Sequence, residues 1–126
     1  MIDHASVSKW LRDYISAWES YDPAAIGALF SENAGYRYNP YDEPVRGRQA
    51  IIENWLENRD DPNTYKAEYT PIAVDGEVAV AQGRTQYFDS DGMFLRQFDN
   101  IFVIRFDSEG RCLDFCEWFM QPRGQK

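Results

Sequence analysis

The chain has 126 residues, 44% of them hydrophobic and 16% aromatic, which suits one compact domain with a real core and excludes a disordered chain. Its formal net charge is −8, and its 13 basic residues are scattered rather than clustered. That excludes a nucleic-acid partner and an anionic membrane surface, and leaves small neutral or cationic ligands open. No apolar run approaches the ~20 residues of a membrane span. MIDHASVSKW shows no basic-then-apolar leader, so a cytoplasmic location is the expectation. A single His leaves too few ligands for a Cys/His zinc site. Cys112 and Cys116 would stand about 13 Å apart along a strand, too far to bridge, and read as packing residues. With no metal constellation, phosphate loop or nucleotide fingerprint, no cofactor is expected.

In chain order, residues 6–21 place Trp10, Tyr14 and Trp18 at helical spacing, with Ser6 or Ser8 as the cap. His4 falls before this helix, on the surface. Asp22-Pro23 is a strong start for a short second helix, with Asp22 as N-cap and Ile26, Leu29 and Phe30 on its buried side. Residues 31–33 end it. A short strand over 35–39 stops at Pro40, and a polar loop leads to a third helix over about 48–58, with Ile51, Ile52, Trp55 and Leu56 on its apolar face. Four strands follow as a meander: 65–74, 77–88, 95–106 and 112–120. Asp75-Gly76, Asp89–Gly92 and Asp107–Gly110 form the turns between them. Helices and strands that do not alternate strictly indicate an α+β domain spanning residues 1–126, its helices on one face of an antiparallel sheet.

The last two strands carry the chemistry. Period-2 alternation puts Phe98, Asn100, Phe102, Ile104 and Phe106 on one face of the third meander strand. Phe115, Glu117 and Phe119 share a face in the fourth. A carboxylate on an apolar face needs a partner or a function. Strand 77–88 has a polar row, Gln82, Arg84 and Gln86, and a small row, Ala79, Ala81, Gly83 and Thr85. Either the polar row meets water and the small row packs on the helices, or the polar row points inward. In the second arrangement Arg84 pairs with Glu117 while Asn100, Gln82 and Gln86 satisfy the remaining polar groups.

The segments DYISAWESYDPAAIGALF, YNPYDEPVRGRQAIIENW and VIRFDSEGRCLDFCEWF resemble the SnoaL-like and ketosteroid isomerase-like branch of the nuclear transport factor 2-like superfamily. The resemblance covers nearly the whole chain. It implies a conical fold in which a strongly curved antiparallel sheet wraps around three helices and leaves a pocket open at the wide end. The sheet's convex face would then be a homodimer interface. It also implies that Phe102 and Glu117 face the pocket together with Gln82, Arg84 and Gln86. Ala79, Ala81, Gly83, Thr85, Ile101, Val103, Cys116, Trp118 and Met120 would face outward. Tyr14 matches the tyrosine that donates to a developing enolate oxygen. Asn39 stands where ketosteroid isomerases have their general-base Asp, and Phe102 where they have a second acid, so ketosteroid proton shuttling is not implied. Polyketide cyclases and epoxide hydrolases resemble the chain differently, through a last-strand carboxylate that Glu117 matches.

Together these readings point to an internal pocket for a small, largely apolar organic ligand. Glu117 and Tyr14 are its candidate catalytic groups for acid/base work of isomerase, cyclase or hydrolase type. Trp18, Tyr38, Asn39, Trp55, Gln82, Arg84, Gln86, Asn100, Phe102 and Phe119 are its candidate ligand contacts. The alternatives are a non-catalytic binding pocket and a dimeric interaction module.

Overall fold

The computed structural model describes residues 2–124. Three helices, α1 (His4–Ser20), α2 (Pro23–Leu29) and α3 (Arg48–Glu57), lie against a six-stranded curved, unclosed sheet. Its strands are β1 (Phe30–Arg37), β2 (Val45–Arg46), β3 (Tyr65–Asp75), β4 (Val78–Phe88), β5 (Phe94–Phe106) and β6 (Cys112–Met120). Their order across the sheet is β2-β1-β6-β5-β4-β3. All neighbours are antiparallel except β1 and β6, which run parallel. That exception follows from the path of the chain, since β1 and β6 are joined through α3 and the whole meander rather than by a hairpin.

Local chemistry explains the element ends. Asp3, rather than Ser6 or Ser8, caps α1: its carboxylate accepts from Ser6 N while Ser6 Oγ accepts from Asp3 N, a reciprocal capping box. His4 is therefore the first helical residue, still exposed. Asp22 caps α2 through Ala24 N, as its sequence indicates. That helix stops at Leu29, because Phe30 takes an extended conformation and opens β1 five residues earlier than the alternation suggests. In the β3–β4 hairpin Asp75 pairs with Val78, so the two-residue turn is Gly76-Glu77. Gly76 has φ 61°, a conformation that costs most other residues energy. The β5–β6 turn is closed by Asp107, whose carboxylate accepts from Glu109 N and Arg111 N.

The core sits between the concave face of the sheet and the helices. Trp10 lies edge-on to Phe30 and Phe106, and its indole N–H donates to Leu29 O at 3.0 Å. Phe115 is sandwiched between the rings of Tyr36 and Tyr14, at centroid distances of 4.5 and 5.6 Å. Both cysteines are free and buried, as packing residues are.

The phase of β4 corrects the expectation drawn from the resemblance. Directly opposed antiparallel residues share a face, and Arg84 opposes Asp99 while Gly83 opposes Asn100 and Thr85 opposes Phe98. The small row is therefore the inner one: Ala79, Ala81 and Thr85 are buried, and Gln82 and Arg84 are exposed. Space decides this. A Cβ at Gly83 would lie 1.9 Å from Glu68 O and 2.4 Å from Tyr69 Cδ1, because Tyr69 lays its ring across this strand to meet Phe102 at 4.5 Å. The inner face has no room for a row of Gln and Arg side chains.

Candidate functional site

A cavity of about 240 Å³ opens between the sheet and the helices. That is the volume of roughly eight waters, room for a small organic molecule. Its wall is assembled from almost every layer. Helix α1 contributes Tyr14 and Trp18, its C-cap Tyr21, and α3 contributes Trp55. Tyr36 and Tyr38 come from β1 and the residue after it, Tyr69 from β3, Thr85 and Tyr87 from β4, Phe98 and Asn100 from β5, and Glu117 and Phe119 from β6. Asn58 and Asp60 close one side from the end of α3 and the loop beyond. Ten of these side chains are aromatic and none is basic.

A one-way hydrogen-bond relay ends on Glu117. Asn100 Nδ2 donates to Glu117 Oε2 at 2.5 Å, and Thr85 Oγ1 donates to Asn100 Oδ1 at 2.9 Å. Thr85 spends its only proton there, so the 2.6 Å bond between Tyr69 and Thr85 has Tyr69 as donor. The amide of Asn100 is thereby fixed from both ends, and with it the carboxyl group. Glu117 makes no salt bridge among the described residues. Burial drives its pKa up and the Asn100 hydrogen bond opposes this, leaving the carboxyl at about 7.

Tyr14 and Tyr36 form a second polar unit, their hydroxyl oxygens 2.6 Å apart. Two hydroxyl protons and one mutual bond leave one proton free for a ligand oxygen. Burial raises both phenol pKa values well above the ordinary tyrosine range, and the charge of Glu117 adds to the rise. Both groups therefore stay protonated donors at any physiological pH. Tyr38 donates to Asn54 Oδ1 and is pushed up to about 12 by burial first. Trp55 is buried in the wall, its indole N–H without a hydrogen-bond partner among the described residues.

Of the residues singled out from the sequence, Tyr14, Trp18, Tyr38, Trp55, Asn100, Glu117 and Phe119 line this one cavity. Phe102 lies beneath it, packed on Tyr14, Tyr69 and Phe115. Gln82, Arg84 and Gln86 belong to the outer face. There Arg84 pairs with Asp99 at 3.2 Å instead of Glu117, and Gln86 donates to Gln97. Asn39 does not line the cavity either; its side chain accepts from Tyr41 N and shapes the loop after β1. Sequence reasoning missed Tyr21, Asn58, Asp60, Tyr69, Thr85, Tyr87 and Phe98 as wall residues. For Thr85 and Tyr87 a signal existed: Asp99 on the outward phase of β5 is the natural partner of an outward Arg84, which turns Thr85 and Tyr87 inward.

Three helices packed into a curved, unclosed sheet, with an aromatic cavity held between them, define an α+β protein of the nuclear transport factor 2-like fold. The chain belongs to the SnoaL-like domain family, whose pattern matches residues 11–115. It shares its fold with an NTF-2 like protein of unknown function from Burkholderia xenovorans LB400, at 13% identity and a TM-score of 0.70, over 97% of this chain and 88% of that one. A ketosteroid isomerase-like protein from Erwinia carotovora atroseptica SCRI1043 is similar at 15% identity and a TM-score of 0.66, covering 94% of this chain and 97% of its own. No curated protein sequence matches the chain.

Proposed function

We propose that this single domain binds a small, largely apolar organic molecule in the aromatic cavity and moves a proton on it with Glu117. The observation that carries this reading is a carboxyl group at about 7, facing a cavity, oriented by Asn100 and unpaired with any cation among the described residues. A group with that pKa accepts and releases protons about equally well near neutrality. The Tyr14–Tyr36 pair supplies the complementary donor for a carbonyl, epoxide or enolate oxygen, and its raised pKa values keep it from acting as a base. The general-base position of the ketosteroid isomerases, Asn39, points elsewhere, so the proton-transfer centre is Glu117 on the last strand.

The test is solvent deuterium exchange into a panel of small cyclic ketones, followed by NMR. Wild type is expected to accelerate exchange at carbons next to the carbonyl for at least one member, and Glu117→Gln to abolish the effect. Exchange that is equally fast in both proteins removes Glu117 from the chemistry. Binding without any exchange leaves a non-catalytic pocket.

A second reading concerns assembly. Trp118 and Met120 are 45% and 74% exposed on the outer face of β6, with Ile101 and Val103 beside them on β5. This apolar strip supports a homodimer through the outer sheet face. It is narrower than the sequence suggested, because Ala79, Ala81, Gly83 and Thr85 turn inward. Light scattering of wild type against Trp118→Lys tests it, with a monomer expected for the variant and a monomeric wild type refuting it.

A further inference from the structure

The charge balance of the cavity has a consequence for what enters it, on the reading that the cavity is the binding site. Glu117 from β6 and Asp60 from the loop after α3 both reach the wall, and no Lys or Arg does. Neither acid has a salt-bridge partner among the described residues. Asp60 Oδ2 accepts from Trp18 Nε1 at 3.1 Å, the one hydrogen bond of its side chain among the described residues. The guanidinium of Arg59 lies over the ring of Tyr21, 5.4 Å from its centroid, and Arg96 acts on Tyr87 against the two acids, but neither is part of the wall.

The fields of the two acids overlap. Beyond the larger effect of burial, the charge of Glu117 and that of Asp60 both raise the pKa of Tyr38 and of Tyr87, which stand on different walls. The space between them is therefore negative and walled by the electron-rich faces of aromatic rings. Such a site repels free anions and prefers a cation to a neutral molecule of the same shape. It attracts a cation twice over, through the carboxylates and through the ring quadrupoles.

We propose that the ligand of this pocket is an organic cation, a protonated or quaternary amine on a small apolar body. The cation replaces the missing counter-charge of Glu117 and Asp60, and the apolar body fills the remaining aromatic space. Because the cation favours the ionised carboxyl, its binding tightens as pH rises through the titration of Glu117, between about pH 5 and pH 8. The groups facing Glu117 from α1, β1, β3 and β4 are the phenols of Tyr14, Tyr36, Tyr38, Tyr69 and Tyr87, which remain neutral across that range.

The experiment compares phenyltrimethylammonium with its neutral isostere tert-butylbenzene, read by the fluorescence of Trp18 and Trp55 and by NMR shifts. The cation is expected to bind at least tenfold tighter, about 1.4 kcal/mol. Glu117→Gln and Asp60→Asn should each cut that advantage, the ratio of the two affinities, at least threefold, and Glu117→Gln should flatten the pH dependence. Equal affinities, or a preference for tert-butylbenzene, overturn the cation proposal while leaving an apolar binding pocket standing. A cation preference that survives both substitutions overturns it as well. Failure of both probes to bind sinks the pocket reading together with it.

Discussion

Replacing Glu117 by Gln gives the sharpest physical test of the site, because it asks what the cavity costs the fold. In the folded chain the carboxyl titrates at about 7, against an ordinary value of 4.5. Its folded pKa is raised, so the folded state prefers the protonated form. The stability this contributes is complete below pH 4.5 and disappears as pH rises through about 7. At 1.36 kcal/mol per pH unit, ionised Glu117 destabilises the protein at pH 8 by on the order of 3 kcal/mol relative to a permanently neutral group. Glu117→Gln is such a group, and its carbonyl oxygen can still accept from Asn100 Nδ2. Urea denaturation of both proteins at pH 4 and pH 8 is the assay. The variant should match wild type at pH 4 and exceed it at pH 8 by roughly 2–3 kcal/mol, a gain of the kind seen when a functional group held at a cost is removed. Equal stabilities at pH 8, or a less stable variant at both pH values, would show that the carboxyl is not held in a desolvated site.

Asn100→Leu removes the one interaction that holds the Glu117 pKa down. A hydrogen bond to a charged group is worth about 1.5–3 kcal/mol, so the titration midpoint seen by carboxyl-carbon NMR should rise by about one pH unit or more; an unmoved midpoint would break the relay argument. Arg84→Ala should change stability by less than about 0.5 kcal/mol, because its ion pair with Asp99 is more than half exposed on both sides. A loss of several kcal/mol in thermal melts would instead mean that Arg84 balances a buried acid. Gly83→Ala forces a methyl group into Glu68 O and the Tyr69 ring. It should cost at least about 3 kcal/mol and shift the Tyr69 signals; a neutral outcome would mean that the β3–β4 pairing is looser than described. Phe115→Ala empties the stack between Tyr14 and Tyr36 and should cost about 3–5 kcal/mol in chemical denaturation.

What was legible in the sequence was local. The Asp22-Pro23 start, the spacing of Trp10, Tyr14 and Trp18, the Gly-containing turns and the alternation in β5 and β6 each act within a few residues, so they can be read without knowing what packs above them. Glu117 and Asn100 were readable for the same reason, as polar groups on otherwise apolar strand faces. Strand β4 was different. Both of its faces are plausible interiors by pattern alone, one small and one polar. The choice belongs to its neighbours: Asp99 draws Arg84 outward, and Tyr69 needs the bare backbone of Gly83 beneath its ring. Tyr21, Asn58 and Asp60 were beyond reach because they enter the cavity from helix ends and a loop whose direction local rules do not fix. The chain's local chemistry thus determined the elements and the acid, while long-range packing decided which side chains meet that acid. Cross-strand register and ring volume are properties of pairs far apart in sequence, and no short-range pattern carries them.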